Sequence, residues 1–206
     1  MTAEEFKQAL CGSARGLIEQ EELLTMCDSK IGDGDHGVTV TKIANIILNE
    51  CAAQNLSLPA LLERISYSMT NCSGGSAGPL WGAYFGGLAA AAPETGEMDG
   101  GDIARMLSGG CEELRSISAA RVGDKTMMDA VIPAAEASQA RAEAGGSAAE
   151  VLRCAADASA EGAERTEEMI ARFGRAKNLK ERSRGCRDAG AVSFSLLMRG
   201  LSDAVS

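Results

Sequence analysis

One period governs almost the whole chain. Apolar residues recur at i, i+3, i+4 and i+7, the spacing that lines one face of an α-helix. Thr2-x-x-Glu5 reads as a capping box, and Phe6, Ala9, Leu10 and Leu17 follow on one face. Val40, Ile43, Ala44 and Ile47 repeat the spacing. So do Leu58, Leu61, Leu62 and Ile65, with Met69 one turn on and Pro59 just inside the start. Leu80 to Ala91 continues it weakly in small residues. Ile103, Met106, Leu107, Leu114 and Ile117 form another stripe, and Met127 to Ala144 a further one that Gly145-Gly146 ends. Ser147-x-x-Glu150 caps a segment expected to run to Phe173, and Phe194, Leu197, Met198 and Leu201 close the chain. Alternation of period two is absent and β-branched residues never cluster, which excludes a sheet protein. The expectation is an all-α fold of about eight antiparallel helices joined by short loops. The 206 residues are expected to form a single domain, 1–206.

Against that period the glycines stand out. There are 24 in 206 residues, although an internal glycine costs a helix roughly 1 kcal/mol relative to alanine. Gly32, Gly34 and Gly37 form one group. Gly74, Gly75 and Gly78 form another, followed by Gly123 and then Gly185 and Gly190. Each group falls ahead of an expected helix. Ordinary inter-helix turns account for such glycines; so do helix N-termini converging on one anion, with backbone N–H groups facing it.

The first group carries the chemistry. Asp28-Ser-Lys-Ile-Gly-Asp33-Gly-Asp35-His36-Gly37 places three carboxylates within eight residues. Carboxylates this close repel unless they share a cation. Short carboxylates are hard oxygen donors suited to Mg2+ or Ca2+. The spacing is not that of an EF-hand, since no glutamate closes a twelve-residue loop. Mg2+ is commonly held by a few carboxylates with phosphate and water completing the shell, so the loop reads as a Mg-phosphate or Mg-nucleotide site. Helix capping would explain one aspartate, not three. His36 is the only histidine of the chain and suits a phosphate or an aspartate better than Mg2+.

Further segments match. Gly74-Gly75-Ser76-Ala77-Gly78-Pro79 is a turn leading into a helix, and Gly123-Asp-Lys125-Thr126 sets a cation and a hydroxyl at a helix start. Lys180, Arg182, Arg184 and Arg187, with Arg175 upstream, are the obvious phosphate clamp in a chain of net charge -9. That acidity, with 3% aromatics, excludes a nucleic-acid partner. No P-loop or protein-kinase signature occurs. Seven cysteines, an odd number without any C-x-x-C, are expected as core thiols in a reducing compartment. The N-terminus lacks the apolar run of a signal peptide, and no stretch is apolar enough to span a membrane, so the expected location is the cytoplasm.

IGDGDHG at Ile31–Gly37, GGSAGP at Gly74–Pro79, GDKTM at Gly123–Met127 and DAGAVS at Asp188–Ser193 occur in this order. Together they resemble the nucleotide-binding L subunit of dihydroxyacetone kinase over nearly the whole chain. The resemblance implies a barrel of eight antiparallel helices with ADP or ATP at one end. It implies two Mg2+ ions held by Asp28, Asp33 and Asp35, the residues bearing the phosphoryl-transfer chemistry. Nucleotide contacts are implied at His36, Gly37, Val38, Thr39, Ser76, Ala77, Gly78, Met127, Arg175, Asp188, Ala189 and Gly190. Four positions depart from the common pattern: Thr39 stands for Asn, Val40 for Met, Ala77 for Ser and Ala189 for Pro. Those changes suit a paralogue acting on another small ketose, tetrose or sugar alcohol.

In this family a histidine of a separate K subunit or domain anchors the substrate. His36 lies in the metal loop, and the chain has no other histidine and no length for that second domain. The expectation is half an enzyme: it passes the γ-phosphoryl to a small ketose or polyol on a K-like partner. The phosphate comes from exchanging ATP or from a phosphotransferase-system M subunit that recharges bound ADP. A nucleotide-state sensor acting on a transcription regulator is the alternative from another class. The nucleotide domain of a fatty-acid kinase is a third reading, disfavoured by Asp35-His36-Gly37 where those chains often read Asp-Thr-Gly.

Overall fold

The computed structural model describes residues 1–52, 56–73 and 75–205. It is all-α, and no strand occurs among the described residues. The helices are α1 (Ala3–Glu19), α2 (Glu21–Ser29), α3 (His36–Cys51), α4 (Leu58–Thr70), α5 (Ala77–Ala91), α6 (Gly100–Ile117), α7 (Met128–Glu143), α8 (Ala148–Arg165) and α9 (Ala189–Asp203). Two 3-10 segments, Thr166–Glu168 and Arg175–Ser183, lie between α8 and α9.

Eight helices close a ring. From α3 to α9 each packs on the next, and α1 completes the circle by lying against both α9 and α3. The core is the inner stripe anticipated from the period, with Leu10, Ile43, Leu62, Ile103, Val151 and Leu197 all buried. Trp81, Tyr84, Phe85 and Phe194 knit α5 to α9, Tyr84 meeting Phe194 edge-on at 5.1 Å. Helices approach closely where glycine replaces a side chain. A Cβ on Gly87 would strike the Gly109 carbonyl of α6, and one on Gly162 would strike the Asp129 carbonyl of α7. Pro133 lacks the N–H that would have bonded that Asp129 carbonyl, so α8 packs where α7 is locally opened. These glycines lie inside helices, so the excess over ordinary usage is partly packing.

Two expectations are corrected. Asp28 does not open a loop: it sits in the last turn of α2, a nine-residue helix burying only Leu24 and Cys27. α2 lies outside the ring against α3 and α9. Nine residues are too few for a period to declare itself. The segment capped by Ser147 ends at Arg165, not Phe173. Thr166 stops it, because its hydroxyl donates to the Ala163 carbonyl at 2.5 Å and accepts the Asp188 N–H at 2.8 Å. Glu167 and Glu168 also sit badly at the negative end of a helix dipole.

All seven cysteines are free thiols; Cys27, Cys51, Cys111 and Cys186 are buried. Among the described residues no helix is long and apolar enough to cross a membrane.

Candidate functional site

α3, α5, α7 and α9 start at the same end of the ring, around one cavity of about 720 Å3. His36 and Thr39, Ser76 and Ala77, Met127 and Met128, and Asp188, Ala189 and Gly190 bring those four N-termini to its wall. Each N-terminus presents N–H groups and the positive pole of a helix dipole. At α3 and α5 the cap residues Asp35 and Ser76 make no side-chain cap bond. Met127 makes none at α7, where Thr126 Oγ1 takes the Met128 N–H at 3.2 Å. Only α9 has an ordinary cap, Asp188 accepting the Ala191 N–H at 2.8 Å.

The aspartate loop folds over the end of α2. The Asp28 carbonyl accepts the Ile31 and Gly32 N–H groups at 3.0 and 2.6 Å. Its carboxylate accepts those of Gly34 and Asp35 at 2.8 and 3.1 Å. Gly34 has φ +77°, a conformation that favours glycine. A Cβ on Gly32 would overlap the Asp28 carboxylate. The result brings carboxylate oxygens of Asp28, Asp33 and Asp35 within 4.8 Å of one another. Capping uses none of the three. An all-carboxylate oxygen set, partly exposed beside open N–H groups, fits a hard divalent cation with phosphate completing its shell.

Arg175 forms an ion pair with Asp33 across the cavity mouth, with both side chains largely exposed. Exposed pairs of this kind contribute at most about 1 kcal/mol, so either partner can be drawn to a ligand. Arg175 alone of the basic run expected to clamp phosphate lines the cavity. Lys180, Arg182 and Arg184 are exposed, and Arg184 pairs with Glu181 at 3.6 Å.

His36 faces Ser193, Nε2 to Oγ being 3.0 Å. Burial lowers its pKa, opposed by Asp28, the Ala189 carbonyl and Asp35. Burial pushes the Asp188 carboxyl up to about 7, with nearby Asp129 and Asp28 adding to the rise. The Ala191 N–H and Lys125 oppose it. Asp188 is therefore a carboxyl that a cation in the cavity would ionise.

The cavity wall thus includes Asp28, Asp33, Asp35, His36, Thr39, Ser76, Ala77, Met127, Arg175, Asp188, Ala189 and Gly190. Three expected contact residues stand off it. Gly37 packs against the Glu21 carbonyl and Thr25 of α2, and Gly78 against the Met69 and Cys72 carbonyls. The Val38 side chain is exposed. Their glycines serve helix contact, where a Cβ has no room. Gly74 lies outside the described residues. Sequence reasoning missed the apolar wall of Leu80, Trp81, Leu114, Ile117 and Phe173. A helical stripe looks the same whether it faces core or cavity. The sequence sets Lys125 as a cation at a helix start; in the fold it precedes α7, lines the cavity and is 2% exposed.

The profile of the DAK2 domain matches residues 30–203. The chain belongs to the DAK2 domain family. This DAK2 domain is 36% identical over 203 residues to D-erythrulose kinase of Mycolicibacterium smegmatis, covering 97% of this chain and 35% of that protein. It is 35% identical over 186 residues to the ADP-binding subunit DhaL of PEP-dependent dihydroxyacetone kinase 2 of Listeria innocua, covering 88% of this chain and 86% of that subunit. The chain therefore spans about a third of the first relative and most of the second. Among solved structures, the dihydroxyacetone kinase of C. freundii in complex with AMP-PNP and Mg2+ superposes with a TM-score of 0.72. The match has 26% identity and covers 96% of this chain and 33% of that one. The helical ring is thus the DhaL-type fold expected from the four motifs.

Proposed function

We propose that this DAK2 domain, acting as one unit over residues 1–206, is the ADP- and ATP-binding subunit of a dihydroxyacetone kinase-like phosphotransferase. One observation carries the reading: three carboxylates left free of capping stand beside helix N-termini that are themselves left uncapped, around one cavity. Open N–H groups recognise phosphate, and the carboxylates supply the counter-site for Mg2+. Asp28, Asp33 and Asp35 hold two Mg2+ ions. The open N-termini at His36 and Ala77 receive phosphate oxygens, and Arg175 leaves Asp33 to reach them from the mouth. Mg2+ supplies charge neutralisation of the phosphate oxygens. The protein's part is to hold the chain of phosphates in line with the acceptor and keep the γ-phosphoryl in a fixed field.

The acceptor hydroxyl comes from a small ketose or polyol on a K-like subunit, because His36 is engaged by Ser193 and Ala189. The D-erythrulose kinase relative favours a four-carbon ketose beside dihydroxyacetone. The DhaL relative's PEP-dependent name favours an M-like phosphotransferase subunit as phosphate source. The test is reconstitution with a K-like subunit, offering dihydroxyacetone and erythrulose in turn. Phosphorylated ketose should form with ATP or with an M-like donor. Nucleotide binding with no transfer to any ketose would leave a sensor and overturn the kinase reading.

A further inference from the structure

Lys125 is a buried lysine that no part of the proposed phosphoryl transfer uses. Its backbone takes φ +59°, unusual for a residue with a side chain. Its ammonium donates to the Thr166 and Cys186 carbonyls, each at 2.5 Å. Burial lowers its pKa, opposed by Cys186, Asp188, Glu167 and Asp129. A buried ammonium persists only where its hydrogen bonds are made, and these two bonds join segments far apart in sequence. Thr166 ends the α8 segment. Cys186 lies two residues before the cap of α9.

The bonds around it form one buried network. Asp129 braces the turn that carries Lys125, accepting the Gly123 and Thr126 N–H groups at 2.6 and 2.8 Å. The Thr166 hydroxyl accepts the Asp188 N–H at 2.8 Å. Asp188 then caps α9, whose Ser193 meets His36. A single ammonium thus joins the braced turn, the end of α8 and the approach to α9. The segment it restrains carries Asp188, Ala189 and Gly190, one wall of the cavity.

We propose that Lys125 is a positioning residue: by tying the Thr166 and Cys186 carbonyls to the 123–126 turn it sets where the Asp188–Gly190 wall stands, and through that wall how tightly the nucleotide is held. Its effect on the nucleotide rests on the nucleotide-binding reading above; its effect on the wall does not. Lys125 also lines the cavity, but both of its bonds go to backbone carbonyls, and its effect is assigned to the wall they hold.

The experiment uses the full chain with Lys125→Ala, with and without n-propylammonium chloride, which replaces the deleted side chain. Tetramethylammonium, a cation without N–H donors, is the control. Amide exchange at Asp188 and Ala191 should rise about tenfold in K125A, while amides of Leu62 and Phe85 across the ring keep their protection. Propylammonium should reverse the change and tetramethylammonium should not. The affinity for Mg-ADP should fall about tenfold and recover with the same amine. Lys125→Met fills the same space without donors and serves if K125A does not fold. Unchanged exchange at Asp188 and Ala191, a uniform rise over the whole ring, or failure of both variants to fold would overturn the proposal. Should the wild-type chain bind no Mg-ADP, the nucleotide reading falls and the exchange arm still decides the role of Lys125.

Discussion

The two ends of the helical ring treat their helix N-termini differently. α1, α4, α6 and α8 are capped by their own side chains: Thr2, Ser57, Asp99 and Ser147 each accept an N–H of the first turn. Three of these are reciprocal capping boxes, closed by Glu5, Asp102 and Glu150. At the cavity end α3 and α5 start without a side-chain cap, even though Asp35 and Ser76 are good capping residues. An unused cap lowers stability by about 1 kcal/mol per helix. A chain that caps every helix at one end, and at the other caps α9 but leaves α3 and α5 open, reserves the N–H groups of those two helices for a ligand. The same residue type behaves both ways: Asp99 at the far end and Asp188 at the cavity end cap, whereas Asp35 stands at a cap position and does not.

That contrast can be broken by substitution. The largest effect belongs to Asp35→Ala. With no cap bond to lose and two like charges relieved, thermal stability should change by less than about 0.5 kcal/mol. Mg-dependent ADP binding should weaken about 100-fold, measured by calorimetry. A variant that melts several degrees lower would mean that Asp35 is structural after all.

Asp188→Asn comes next and separates ionisation from capping, since asparagine caps as well as aspartate. A carboxyl whose pKa is raised on folding resists ionisation. Its cost is absent below its unfolded value and grows as pH rises from near 4 through about 7. Without Mg2+, D188N and wild type should melt together near pH 4. At pH 8 the variant should melt at least ~3 °C higher. Parallel melting curves at every pH would place Asp188 in an ordinary solvated cap. The smallest effect is expected at the far end. Ser147→Ala should cost about 1 kcal/mol of stability and leave ADP affinity unchanged. A drop in affinity would show that the two ends are not independent.

The far end was the more legible of the two. Caps such as Thr2 with Glu5 and Ser147 with Glu150 are local patterns, and local patterns survive into the fold. The ring itself followed from the helical stripes, because each stripe must be covered by a neighbour. The aspartate cluster was legible through its crowding of like charges. The helix that bears Asp28 was not, being too short to show a period. The inward course of the Lys125 side chain was not legible, for a different reason. GDKTM spells a polar turn, and only the carbonyls of Thr166 and Cys186, brought from distant segments, turn its cation inward. Gly37 and Gly78 read as phosphate-cradle glycines, yet a missing Cβ serves a helix contact equally well.

The central claim is that the three clustered carboxylates and the open N-termini form one Mg-nucleotide site. Its most direct test is calorimetric titration of ADP into the wild-type chain and into Asp33→Ala, each with Mg2+ and with EDTA. Asp33 is the cleanest probe because the bond recorded for its side chain is the exposed pair with Arg175. The account predicts binding in wild type with Mg2+, loss with EDTA, and loss in D33A without a change in melting temperature. Equal ADP binding by wild type and D33A, or binding indifferent to EDTA, would contradict it.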